Sequence, residues 1–206
     1  VRRVLGGELL GVDISTRTHL QLTEAVRALL AGGSELADRI EIHLAGVTTP
    51  RDREAVAGCP FVSFHGYLPH AESTALLRSA DLLFLPMQRI QPGARATIVP
   101  GKTYEYLATN RPILAAVPEG DARDILRAAG TGLICDPGDV GTMTALIRDQ
   151  LVRWRDGRPA SAPNEQYIRR FEHAELTARM AELMRSVAAG HAGASRSASA
   201  GLARTT

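Results

Sequence analysis

A chain of 206 residues with 45% hydrophobic and 22% charged residues can bury a sizeable core, which excludes global disorder. The formal net charge is +2, and the Arg residues lie scattered among Asp and Glu, which argues against nucleic acid as a partner. No stretch reaches the ~20 apolar residues needed to cross a bilayer, and Cys59 and Cys135 show no metal or redox spacing, so they are expected as reduced, buried thiols of a cytoplasmic protein.

Residues 1–18 are apolar without a clean period and predict a strand and a loop. Glu8 and Asp13 make this start a poor signal peptide. Leu20, Leu22, Ala25, Val26, Leu29 and Leu30 form a helical stripe stopped by Gly32-Gly33. Ile40–Gly46 and Phe61–Gly66 read as strands, Ala71–Ala80 as a helix, and Leu82–Pro86 as a strand buried on both faces. A helix over Lys102–Asn110 follows Pro100-Gly101, and Pro112–Pro118 is the next strand. Asp121 is expected to cap a helix over Ala122–Ala129 that Gly130 ends. A short strand, Gly132–Cys135, leads through the turn Asp136-Pro137-Gly138-Asp139 into a helix begun by Asp139. A last helix is expected over residues 164–189. The Ala-, Ser- and Gly-rich stretch 190–206 reads as a disordered tail, so a domain is expected over 1–189 and a tail over 190–206.

Strands alternating with helices predict an α/β domain built on a single Rossmann-like, doubly wound parallel sheet. A ligand then lies beyond the carboxyl ends of the strands. That directs attention to the loops after Gly46, Gly66, Pro86, Pro118 and Asp136.

The densest chemistry falls in Arg95 to Ala115. The free amides of a helix that starts at Gly101 suit a diphosphate, Gly101 permits close approach, and Lys102 adds a cation. Glu105, three residues on, shares that helix face and could accept hydrogen bonds from both hydroxyls of a ribose. The competing reading is a Lys102–Glu105 surface ion pair.

Pro100-Gly101-Lys102-Thr103-Tyr104-Glu105-Tyr106-Leu107-Ala108, followed by Arg111-Pro112-Ile113-Leu114-Ala115, resembles the donor-site motif of GT-B glycosyltransferases of the family-four-like group. Phe64 to His70, Leu76 to Pro86, Asp121 to Leu126, Gly130 to Leu133 and the tail residues Tyr167 and Arg170-Phe171 are similar to the same group in the same order, over roughly residues 17–187. The resemblance implies the C-terminal, donor-binding half of a GT-B architecture, with a nucleoside diphosphate sugar as donor substrate, no further cofactor, no structural metal and a retaining outcome. It places Glu105 on the donor ribose, Gly101 and Lys102 beside the diphosphate, and Tyr67 and Leu68 at the nucleobase. Ser15 and Thr16 fall near a phosphate-contacting loop. Thr97 stands where many relatives have a second Glu that contacts the transferred sugar. The usual basic pair after the first strand is reduced to Arg17, with Arg95 as a substitute cation. The catalytic side chain and the acceptor site (sugar, lipid or small molecule, reached from the cytoplasm or the inner membrane face) are expected from an N-terminal domain or a partner chain. Two other readings stay open, a non-catalytic partner subunit or remnant of a split glycosyltransferase, and a nucleotide-sugar epimerase.

His19, His43, His65, His70, His173 and His191 show no HxH or HExxH spacing, so no metal site is expected. No P-loop motif occurs, and Ser73 and Ser79 lack the context of a hydrolase nucleophile.

Overall fold

The computed structural model describes residues 12–33, 37–158 and 161–202. The chain divides into two compact units, Val1–Asn164 and Glu165–Thr206. The first unit begins with β1 (Val12–Asp13), a 3-10 turn (Ile14–Thr16), α1 (Leu20–Ala31) and a second 3-10 turn (Ala37–Arg39). Then follow β2 (Ile42–Ala45), α2 (Pro50–Glu54), β3 (Val62–Gly66), α3 (His70–Ser79), β4 (Leu83–Pro86) and β5 (Arg89–Ile90). It closes with α4 (Gly101–Leu107), β6 (Ile113–Ala116), α5 (Asp121–Ala129), β7 (Gly132–Cys135) and α6 (Val140–Arg155). The second unit carries α7 (Glu165–Arg169) and α8 (His173–Leu202).

Three of the links between strands join parallel neighbours, as the alternation predicts. β2 pairs with β3, and β4, β6 and β7 pair in that order. Among the described residues the strands fall into separate groups, with β1 and β5 forming a small antiparallel ribbon. A doubly wound order sets its first strand between the second and the fourth. The edges of β2 and β4 that would flank it carry no strand among the described residues. Apart from β1, the strand expected within residues 1–18 lies outside the described residues.

Core packing follows from period-two strands and period-3.6 helices. Leu22, Ala25, Val26 and Leu29 of α1 meet Met143 and Ile147 of α6 over Ile42, Leu114, Ala116 and Cys135. Alternation sends Ile113 and Ala115 to the opposite face, and β6 is buried along its whole length. There α4 lies against β4 and α5 against β7. Each fully buried Leu or Ile contributes about 1.5–3 kcal/mol. The two free cysteines are both buried, and burial pushes the Cys135 thiol up to about 11.

Three local expectations change. Asp121 does not cap α5, because the N-cap is Gly120 and no side chain caps that end. The carbonyl of Ala96 takes the Asp121 N–H instead, at 2.9 Å. The last helix is interrupted after Arg169, where i→i+3 bonds from Arg170, Phe171 and Glu172 tighten the chain before α8 begins. Helix α8 extends through the small-residue stretch to Leu202. Asp139, by contrast, caps α6 as expected, its carboxylate accepting from Thr142 N at 2.9 Å.

Candidate functional site

Parallel pairing brings the carboxyl ends of β4, β6 and β7 to one edge, and the loops that follow them are tied together there. Arg123 of α5 is the central tie. Its side chain is 9% exposed and pairs with Glu119, after β6, and with Asp136, after β7, at 2.6 Å. The guanidinium holds the Glu119 carboxyl below the usual carboxylate range. Its Nε is buried without a partner among the described residues. A second tie is Arg89, which donates through Nε and NH2 to the carbonyl of Pro137 at 3.0 and 2.7 Å.

The long segment from β4 to α4 is anchored on the same edge. Ala96 N donates to Glu119 O at 2.8 Å, and Ala96 forms a parallel bridge to Gly120. This fixes where α4 starts. In α4, Thr103, Tyr106 and Leu107 face inward, whereas Gly101, Lys102, Tyr104 and Glu105 are exposed. Burial and then the neighbouring Glu105 carboxylate push the Tyr106 phenol up.

Lys102 and Glu105 lie on one helical face, yet they form no ion pair with each other or with any other described residue. Surface pairs of this spacing are worth only a few tenths of a kcal/mol, and among the described residues no side-chain partner holds either group. Gly101 is exposed, with open space at its α-carbon.

The other expected residues are placed as follows. Tyr67 follows β3 and is 81% exposed, with Leu68 half-buried beside it. Thr97 is exposed in the segment before α4. Arg95 is exposed, but its guanidinium is engaged with Asp124 at 2.6 Å and Asp121 at 3.8 Å, so it clasps that segment to α5. Thr16 is buried and its hydroxyl is saturated. It donates toward Asp13 O and Met87 O and accepts from Arg89 N. The Ser15 hydroxyl donates to Asp13 at 2.5 Å. Arg17 is exposed and unpaired among the described residues.

Sequence reasoning missed the Arg123 and Arg89 ties. The i,i+4 spacing of Glu119 and Arg123 was a usable signal. Nothing local announces Arg89, whose partners lie 48 and 73 residues away.

The apolar surface is distributed in a telling way. Val47 after β2 (90% exposed), Tyr67 after β3, Ile98 after β4 (65% exposed) and Tyr104 at the start of α4 all lie in or beside the loops that follow strand carboxyl ends.

An α/β domain of parallel strands, with its tied loops gathered at their carboxyl ends, is Rossmann-like in class. Residues 14–152 match the family model described as glycosyl transferases group 1, and the chain belongs to that family. A comparison with curated proteins found no match. Sugar donor and acceptor substrates follow from the family. Among the described residues, no helix is long and apolar enough to cross a membrane.

Proposed function

We propose that this chain is the donor-binding half of a GT-B glycosyltransferase of the family-four-like group, built around one doubly wound sheet. It takes a nucleoside diphosphate sugar and, together with an acceptor-binding domain, transfers the glycosyl group. The observation that carries this reading is the pair Lys102 and Glu105, close on one face of α4, exposed, and without a side-chain partner among the described residues. In the proposal Glu105 accepts from the donor ribose hydroxyls, and Gly101 with Lys102 faces the diphosphate. Tyr67 and Leu68 border the base, and exposed aromatic area such as Tyr67 suits a stacked ring. Thr97 faces the transferred sugar, while Arg95 acts by holding the segment that presents it. Charge developing on the departing diphosphate is then met by a cation and helix amides.

The partner is an N-terminal domain or a second chain that brings the acceptor (a sugar, lipid or small molecule, on the cytoplasmic side). Leu176, Met180, Leu183, Met184 and Val187 form an exposed stripe on α8 at helical spacing. A stripe of that kind suits coverage by such a partner.

Calorimetric titration of the folded chain with UDP and GDP, beside Glu105→Ala, tests the reading. One nucleotide is expected to bind, and the variant to lose about 1–3 kcal/mol of that affinity. A folded chain that binds neither would overturn it. The alternative, a non-catalytic partner subunit, is favoured by one observation, the Thr at position 97 in place of a carboxylate.

A further inference from the structure

Strands β2 and β3 present one polar, exposed face. Alternation puts Ile42, Leu44, Val62 and Phe64 toward the protein and His43, Ser63 and His65 toward solvent. Their parallel register is regular as far as Leu44 opposite Phe64, and then Ala45 pairs with Gly66. His65 is the extra residue of this irregularity. A bulge re-aims the side chain it carries, and here it brings His65 against His43. The His43 Nδ1 to His65 Nε2 distance is 2.9 Å, with ring centroids 5.1 Å apart. Glu41 Oε2 lies 3.2 Å from the other ring nitrogen of His43, Nε2.

We infer that His43 and His65 form a two-imidazole site for a divalent transition-metal ion, with Glu41 as the outer carboxylate that orients His43. A Glu41 carboxylate on Nε2 favours the tautomer with a proton there. That leaves the Nδ1 lone pair pointing at His65. A carboxylate behind a ligating imidazole is the usual support of a metal-bound His. In the apo pair, the His65 Nε2 proton bridges the two nitrogens. A metal ion takes the place of that proton, which moves to His65 Nδ1, so the ion is held by two neutral imidazoles. With metal–nitrogen distances of about 2.0–2.1 Å, nitrogens 2.9 Å apart subtend an angle near ~90° at the ion. That suits neighbouring positions of an octahedral or square site, and a shift of a few tenths of an ångström opens it to tetrahedral Zn²⁺. Among the described residues no cluster of three His, Cys, Asp or Glu could hold a metal. The remaining positions therefore belong to water or to a ligand from solution, and the ion is exchangeable. Bound there, it staples β2 to β3.

The test is calorimetric titration of the whole chain with Zn²⁺, without nucleotide. One ion is expected to bind per chain. Binding should vanish in His43→Ala and in His65→Ala, weaken about tenfold in Glu41→Gln, and persist in His173→Ala. All three site residues are exposed, so circular dichroism should show each variant folded. Failure of the wild-type chain to bind Zn²⁺ at submillimolar concentration overturns the assignment. So does binding that survives unchanged in both His variants. Because no nucleotide is present, this result is independent of the donor-site titration.

Discussion

Ala96 and Gly120 are joined by paired backbone hydrogen bonds across the carboxyl edge, from Ala96 N to Glu119 O at 2.8 Å and from Asp121 N to Ala96 O at 2.9 Å. This clasp fixes the segment that leads into α4, and it depends on Gly120. Its φ is +148°, and a β-carbon there would overlap the Ala96 carbonyl oxygen and nitrogen.

Gly120→Ala should therefore destabilise the chain by about 2–4 kcal/mol, since backbone strain and steric overlap act together. Gly33→Ala is the comparison. Its φ is +70° with nothing within 4 Å of the added carbon, and its cost should stay near ~1 kcal/mol. Urea unfolding at neutral pH measures both, and equal costs would show that the clasp contributes nothing.

The buried Arg123 makes a prediction with an unusual ordering. Glu119 and Asp136 are half-exposed or more, so Arg123→Ala leaves two carboxylates that water can solvate. Its cost should be about 1–3 kcal/mol, from lost charge-assisted hydrogen bonds and side-chain packing. The double variant Glu119→Gln/Asp136→Asn instead leaves a buried guanidinium without a counter-charge, and that should cost more than removing Arg123 itself. Denaturant unfolding of the two variants checks the order.

Helix caps contribute to the acid limb of stability. Asp139 is held below the usual carboxylate value by the Thr142 hydroxyl and backbone N–H, and Asp52 by the Thr49 N–H and hydroxyl. A depressed folded pKa means that the unfolded chain takes up protons first. The caps therefore contribute fully above the unfolded value of 3.8 and are lost as pH falls through the folded ones. The urea midpoint should fall between about pH 6 and about pH 3. Asp139→Asn retains a capping oxygen without the charge, so it should remove part of that slope and leave most of the neutral-pH stability.

Much of the frame was legible because local chemistry marks it. Phe61–Gly66, Leu82–Pro86 and Pro112–Pro118 are apolar runs closed by Gly or Pro, and β3, β4 and β6 fall inside them. Helix α1 ends at Gly32 and α5 at left-handed Gly130, as the residue types require. What escaped was set by distant partners or lay below a usable length. The two-residue strands β1 and β5 depend on Thr16 meeting Met87 and Arg89. The five-residue α2 went unread although its capping box is visible in Thr49 and Asp52. At the site, spacing put Lys102 and Glu105 on one face, but only the structure shows them unpaired among the described residues. The engagement of Arg95 by α5 could not be read from sequence, because Asp124 is 29 residues away.

The most direct measurement is a crystal structure of the chain with the nucleoside diphosphate it binds. The ribose hydroxyls should lie within hydrogen-bonding distance of the Glu105 carboxylate, about 2.5–3.0 Å, and the diphosphate beside Gly101 and Lys102. A nucleotide seated away from α4, with Glu105 still open to water, would contradict this placement.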